Sequence, residues 1–572
     1  MRDFELPGRS AAYAENGMAA TSHPLATLAA LDVLRAGGNA VDAAVAAVAM
    51  QCVVEPAMTG IGGDCFVLLA PAGGGMVALN GSGRAPAAAT AERLAGLGVG
   101  ALDGSVHAVT VPGAIDAWAR LLESHGTREL GELLQPAIRC ADEGFVVTPR
   151  VAFDWARDGE RLLQSSGGRV AYLPDSRAPA AGQKLRLPAL ANTLRRIALE
   201  GRDAFYRGEL AERMVAYLPD DRAPAAGQKL RLPALANTLR RIALEGRDAF
   251  YRGELAERMV AYLQSEGGLH TTDDFAAAAG EFVTPIKTSY RGLDVYECPP
   301  NGQGVIALLM LNILEGCELG ALDPNGAERL HLEAEATRFA FRDRNACLAD
   351  PAAADVPVGR LLDKGYAASL RALIDPERAL PGLPPPLLAE HRDTVYLTVV
   401  DRDRNVISFI NSVFDSFGSG LACPETGVLF HNRGKSFSLD PAHPNVIAPG
   451  KRPMHTIIPG LACEDGRPTI AFGVMGGHYQ PVGHAHVLTN VVDFGLDPQA
   501  AIDAPRAFAQ DGELRLERGI PRAAAEALAR RGHKVVPAGK PLGGGQMIVI
   551  DHGRGVLIGG SDPRKDGLAL GY

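Results

Sequence analysis

No CxxC pair occurs in this sequence. Its eight cysteines (Cys52, Cys65, Cys140, Cys298, Cys317, Cys347, Cys423 and Cys463) are scattered, the pattern of reduced thiols rather than of a zinc site or a disulfide framework. Nor is positive charge in excess. The formal net charge of −9 argues against nucleic acid as the main partner. The longest apolar run, Ala40 to Val54, is alanine-rich, carries Asp42 and is too short to span a bilayer, so it reads as a buried helix and no membrane partner is expected. The stretch "MRDFELPGRSAAYAENGMAATSH" lacks the basic region and apolar core of a secretory signal, and a cytoplasmic location is expected. What is present is a globular composition, 47% hydrophobic and 22% charged, over 572 residues. That length suits several ordinary domains or one large multilayer domain.

"SHPLATLAALDVLRAGGNAVDAAVAAVAMQCVVEP" reads as two helices, with Ser22 capping the first, Gly37-Gly38 ending it and Asn39 capping the second. "GIGGDCFVLLA" turns into a buried strand. Helical stretches continue to about Leu380, broken near "DVYECPPNGQG" before the apolar helix "VIALLMLNIL". Pro381 to Glu390 is a proline-rich exposed connector. Beyond it short strands dominate: "VYLTVV", "NVISFI", "PTIAFGVM", "GELRLE", "QMIVID" and "VLIGG". Residues 170–214 recur as 215–259 with one difference, Ser176 against Asp221. Two near-identical copies of an amphipathic helix pair do not make a solenoid. One copy is expected to fill a native slot and the other to be extruded as a surface hairpin.

The junction Asp393-Thr394 lies between the connector and the strand "VYLTVV". A hydroxyl is a poor nucleophile without a base beside it. Cutting the chain before a threonine supplies that base, because the freed α-amine has an unperturbed pKa near ~8. Such a residue must open a strand and follow a segment that can be cut away, as Thr394 does; an ordinary strand start is the plain alternative. Gly476-Gly477, at the end of "PTIAFGVM", allow two backbone N–H groups to face a developing oxyanion, with a simple turn as the alternative. Other signals are weaker. His478, His484 and His486 lack the carboxylate pattern of a metal site, "GIGGD" and "PLGGGQ" lack P-loop spacing, and Ser82 lacks a G-x-S-x-G context. No metal and no cofactor is expected. Asp401 and Asp403, in the turn "DRDRN", read as solvated.

With these motifs in order, "GMAATSHPLATLAALDVLRAGGNAVDAAVAA", "EPAMTGIGGDCF", Asp393-Thr394 with "FGSG", "PGKRPMHTIIP", "MGGHYQP", "AIDAPR" and "SDPRKDGLALGY", the chain resembles the γ-glutamyltransferase family. The resemblance is collinear over nearly the whole length. It implies an α+β fold, the four-layer αββα sandwich of N-terminal-nucleophile hydrolases with a helix-rich large-subunit portion. It also implies a proenzyme that cleaves itself between Asp393 and Thr394. Residues 1–393 would form the large subunit and 394–572 the small subunit of a heterodimer, with further oligomerisation left open. Thr394 would be nucleophile and, through its new α-amine, base, with Gly476 and Gly477 as oxyanion hole. The substrate would be a small-molecule amide, γ-glutamyl or carboxylate-bearing, whose acyl group passes through an acyl-threonine to water or to an amine acceptor.

The substrate ligands depart from the family pattern. A Thr and an Asn on the strand after the nucleophile correspond to Ser412 and Phe414. An ammonium-binding acidic stretch corresponds to "HNRGKSF", with Arg433 and Ser436 in place of its Gln and Asp. A Ser-Ser pair becomes His455-Thr456, and a carboxylate-clamping Arg aligns with Ser82, two residues before Arg84. A buried ammonium facing a new cation is unfavourable. Arg84, Arg433 and His455 are therefore expected to favour a small anion. The alternatives are an oxamate amidohydrolase and a processed but idle small-anion-binding protein.

Overall fold

The computed structural model describes residues 8–572 apart from 104, 174–176, 189, 192–193, 196–197, 199–253, 382–393 and 425. Its organising element is the helix Ala40–Val54, every residue of which is buried. Alanine and valine let it lie close to its neighbours on all sides, and Asn39 with Asp42 closes its N-terminus in a capping box. One side packs on a seven-stranded sheet, where it shares a core with Val395, Leu397, Val399, Ile407 and Phe409. In spatial order that sheet runs Leu568–Gly571, Met18–Thr21, Val395–Val400, Val406–Ser412, Asp64–Ala70, Val77–Gly81 and Glu281–Val283, all antiparallel.

Side chains alternate across a strand. The opposite face of this sheet therefore presents Tyr396, Val400, Ile410, Phe66 and Leu68 to a second core. That core is completed by Leu461, Ala471, Met475, Ile548 and Leu557 of a second seven-stranded sheet. Its order is Ala12–Ala14, Val556–Ser561, Gly544–Asp551, Arg467–Met475, Gly460–Glu464, Leu293–Glu297 and Ile286–Tyr290. The far face of the second sheet carries Val295, Ala462, Phe472, Val474 and Met547 against the helices Gly304–Glu315 and Gln480–Val492. Helix, sheet, sheet, helix: the four-layer αββα arrangement is complete. Among the described residues no helix is long and apolar enough to cross a membrane.

The six strands read after the connector are present, but the region before it is less helical than its composition implies. Met18–Thr21, Val77–Gly81, Glu281–Val283, Ile286–Tyr290 and Leu293–Glu297 all pair into the sheets. "MAAT" has almost no intrinsic strand preference, and sheet neighbours on both edges override it. The first helix is capped by the His23 side chain, which accepts from Leu25 N–H, not by Ser22. Ser22 Oγ instead donates to Glu55 Oε2 at 2.6 Å. Asp401 is buried rather than solvated. It accepts from Ala40 N–H at 2.9 Å, at the start of the Ala40–Val54 helix, and from its own turn through Asp403 and Asn405.

The connector beyond Pro381 and most of the repeat, including the expected extruded hairpin, lie outside the described residues. The described parts come from both copies. Leu185, Leu187, Leu190, Ala191 and Leu194 of the first copy and Met259 of the second, followed by Val260 and Leu263, are buried in one core cluster. Deleting residues 200–244 restores a single copy in sequence while keeping all of these side chains. Loop-closure entropy changes only slowly with length, so the shortened chain is expected to melt within about 2 °C of the parent. A much lower melting temperature in a thermal scan would mean that the deleted residues contribute to the core.

Candidate active site

Thr394 immediately precedes the central strand Val395–Val400 and is fully buried. Its Oγ1 lies 3.0 Å from Ser412 Oγ at the end of the neighbouring strand, and Ser412 Oγ also accepts from Phe414 N–H at 2.9 Å. Phe414 adopts φ 79°, a left-handed conformation unusual for an aromatic residue. This turn swings the chain away from the sheet directly after Ser412. Asp393 lies outside the described residues.

Thr394 and Gly476 line one cavity, together with Met475, Tyr479, Phe508 and Gly543. Gly476 has φ 127° and Gly477 φ 61°. A Cβ on Gly476 would come within 2.9 Å of Gly543 Cα, so both conformation and space require glycine there. Gln303, next to the apolar helix Gly304–Glu315, fixes this turn. Its Nε2 donates to Gly477 O at 2.9 Å and to Thr456 O at 2.8 Å, while Arg344 donates to its Oε1 at 3.0 Å.

The remaining wall of the cavity carries five cations, Arg150, Arg157, Arg515, Lys540 and Lys565, beside Gln510, Ala538, Pro541 and Leu542, and no carboxylate among the described residues lines it. The carboxylates that hold these arginines are outside that lining. Arg150 pairs with Asp154 at 2.7 Å, Arg157 with Asp158 at 2.5 Å and Arg515 with Glu513 at 3.5 Å. Lys565 is only 5% exposed and its Nζ lies 3.6 Å from Met58 Sδ.

Beside Ser412, at the start of the next strand, lies a second buried group centred on Asp64. Its Oδ2 is 3.1 Å from His455 Nε2, 3.3 Å from His431 Nδ1 and 3.4 Å from Arg433 Nε, and Oδ1 accepts from Gly83 N–H at 2.9 Å. Arg433 also donates to Thr456 Oγ1 at 2.9 Å and stacks 4.3 Å above the Phe414 ring. Burial opposes the charge on Asp64, but His431, His455 and Arg433 together hold its carboxyl well below the usual range. Burial lowers His455 to about 3, with Arg433 adding to the effect, so this imidazole is neutral at pH 7 and donates to Asp64 from Nε2. Arg433 is lowered by burial to about 10 and remains charged.

The substrate ligands anticipated from sequence thus fall into separate places. Arg433, His455 and Thr456 join around Asp64, next to Ser412 and Phe414, and none of these five lines the cavity. Arg84 is elsewhere, 2.8 Å from Glu281 and donating to Gly450 O at 3.1 Å. The three closely spaced histidines face different partners: His478 meets Arg344, His484 meets Glu297 and His486 meets Glu333. His331, Glu335 and His533 do bring potential metal-ligating atoms within 4.8 Å. Their contacts are already made, however. His331 Nδ1 and His533 Nε2 share a 2.8 Å hydrogen bond, His331 Nε2 meets Asp375 O, and Glu335 accepts from Arg338 and Leu380 N–H.

Sequence reasoning missed Asp64, Gln303 and the five cavity cations. The cations come from distant segments that only the fold brings together. Lys565, inside "SDPRKDG", was the one with a local signal.

Asp64→Asn keeps the shape of the Asp64 group but leaves Arg433 buried without its anion. We expect a loss of about 3 kcal/mol in urea unfolding at pH 7. Because the folded-state pKa of Asp64 is depressed, its contribution is present above about pH 4, the unfolded value, and lost as pH falls through the folded value. The variant should therefore lose less stability than the parent on acidification. Equal acid sensitivity in the two proteins would contradict this assignment.

A family model described as Gamma-glutamyltranspeptidase matches residues 26–218 and 216–572, meeting within the repeat. The glutathione hydrolase-like YwrD proenzyme of Bacillus subtilis (strain 168) is 37% identical over 563 residues, covering 97% of this chain and 98% of that protein. The oxamate amidohydrolase proenzyme of Klebsiella pneumoniae is 34% identical over 576 residues, covering 97% and 98%. Among solved structures, the cephalosporin acylase from Bacillus halodurans superposes with a TM-score of 0.85 at 39% identity, covering 100% of this chain and 99% of that one. The resemblance read from the motifs is a true kinship, and the chain is an enzyme belonging to the gamma-glutamyltranspeptidase family.

Proposed function

We propose that this enzyme cuts itself between Asp393 and Thr394 and then hydrolyses, or transfers the acyl group of, a small amide bearing a carboxylate on its acyl side. In the first step Thr394 Oγ1 attacks the Asp393 carbonyl carbon. The peptide C–N bond breaks as the nitrogen takes a proton, and water hydrolyses the resulting ester. The products are a large subunit ending at Asp393 and a small subunit whose α-amine now neighbours its own hydroxyl. Relatives named as proenzymes support this reading.

In turnover the α-amine removes the Thr394 proton as Oγ1 attacks the substrate carbonyl. Gly476 and Gly477 N–H groups stabilise the oxyanion, the amine leaves with the proton, and water or an acceptor amine resolves the acyl-threonine. Ser412 orients the hydroxyl from 3.0 Å away. Arg433, His455 and Thr456 act beneath it: with Asp64 they hold the floor of the site and keep Phe414 in place. Arg84, tied to Glu281, is assigned no direct contact.

One observation carries the substrate class: among the described residues, the cavity shared by Thr394 and Gly476 is lined by five cations and no carboxylate. Such a wall favours an acyl carboxylate, and an arginine can grip it with two hydrogen bonds. Among the described lining residues no carboxylate is there to pair with an ammonium. A γ-glutamyl group carries both charges, whereas a succinyl group carries the carboxylate alone. The kcat/KM for succinyl-p-nitroanilide should therefore exceed that for γ-glutamyl-p-nitroanilide at least about tenfold, a difference of ~1.4 kcal/mol. Arg515→Gln should lower the succinyl value. A preference for the γ-glutamyl anilide would overturn the assignment.

A further inference from the structure

The turn Gly476-Gly477 is held from outside the nucleophile cavity. Gln303, Arg344 and His478 are all buried, and none of them lines that cavity. Two successive peptide planes of the turn are anchored through their carbonyls. Gly476 O accepts from Tyr479 N–H at 3.1 Å, and Gly477 O accepts from Gln303 Nε2 at 2.9 Å. In a trans peptide the Gly477 N–H points away from the Gly476 carbonyl, so anchoring that carbonyl sets the direction of the N–H. The Gln303 contact then stops the following plane from rotating.

One cation sets the polarity of this network, because an arginine can only donate. Arg344 Nη1 donates to Gln303 Oε1 at 3.0 Å and to His478 Nδ1 at 3.1 Å. The Gln303 amide must therefore keep its oxygen towards Arg344 and its nitrogen towards Gly477 O and Thr456 O. Flipped, it would set NH2 against the guanidinium and oxygen against two carbonyls. The other contacts of Arg344 are also with neutral groups, Asn345 Oδ1 at 3.1 Å and the Phe341 ring at 4.1 Å. Burial lowers Arg344 to about 9, with Asp511 opposing the shift, so it is charged at pH 7. Packing alone would be served at lower cost by an apolar side chain. A fixed cation behind the turn also adds positive potential where an oxyanion develops.

We infer that Gln303 and Arg344 are positioning residues for the oxyanion hole: Gln303 holds the Gly477 carbonyl, and Arg344 holds Gln303 in the one orientation that can do so. The inference rests on the reading of Gly476 and Gly477 as the oxyanion hole but not on the choice of acyl group. Gln303→Glu keeps the shape and the Arg344 contact but presents only acceptors to Gly477 O. Arg344→Met removes the donor, and Arg344→Lys returns one. With the faster of the succinyl and γ-glutamyl anilides, the first two variants should lower kcat at least about tenfold and leave KM within about threefold. Arg344→Lys should keep kcat within about threefold of the parent.

A second readout isolates the oxyanion. The probe is the boronic acid with boron in place of the carbonyl carbon of the faster acyl group, 3-boronopropanoic acid for succinyl. Boron accepts the Thr394 Oγ1 electron pair, the α-amine takes the hydroxyl proton, and the adduct is a tetrahedral anion. Its affinity should fall with kcat in Gln303→Glu and Arg344→Met, while that of the product carboxylic acid stays unchanged. Unchanged kcat, equal weakening of both inhibitors or no rescue by lysine overturns the inference while leaving amide cleavage intact. So do variants that remain uncut or unfold in urea far below the parent, since these residues would then serve maturation or folding alone. A processed parent that cleaves neither anilide fails the underlying reading instead.

Discussion

The strand Val395–Val400 is hydrogen-bonded along both edges, to Met18–Thr21 on one side and Val406–Ser412 on the other, and Thr394 is anchored by it. A nucleophile freed by cutting the chain would otherwise be a fraying terminus. Here the first residue after Thr394 is already paired, opposite Asn411, and the hydroxyl is held by Ser412. The same pairing accounts for how two subunits would stay together. Both sheets draw strands from before and after residue 394. Leu568–Gly571 and Met18–Thr21 lie side by side in one, and Gly460–Glu464 and Leu293–Glu297 in the other. Separating the two parts would break backbone hydrogen bonds within both sheets, each costly to leave unmade when buried.

Around this anchor the charges are sorted into two zones. Beside Ser412 the buried Asp64 carboxylate gathers His431, His455 and Arg433, the last two through hydrogen bonds. The cavity at Thr394 carries its five cations among Gln510, Tyr479 and apolar side chains. An anion brought next to Arg433 would compete with Asp64 for the same guanidinium. Arg515 in the cavity wall is likewise held by a carboxylate, Glu513 at 3.5 Å.

Much of this was legible in the sequence because it depends on local order. Asn39 with Asp42, the fully apolar run that follows, the strand start at Thr394 and the glycine pair at 476–477 each appear where their residue types place them. The membership in a family of self-cleaving amide hydrolases followed from motifs in sequence order. What could not be read depends on contacts far apart in the chain. "MAAT" becomes a strand only because Val395–Val400 and Leu568–Gly571 flank it. Asp401 looks like a solvated turn residue until the Ala40–Val54 helix N-terminus is placed over it. The contact of Arg433 with Asp64 joins residues 369 positions apart.

The central claim is that Thr394 is the residue whose hydroxyl cuts the chain and then does the chemistry. Denaturing electrophoresis of the purified protein beside its Thr394→Ala variant, with N-terminal sequencing of the smaller fragment, tests it most directly. Two fragments are expected from the parent, the smaller beginning Thr-Val-Tyr-Leu, and one uncut chain from the variant. An uncut parent, or a variant cut at the same bond, would contradict it.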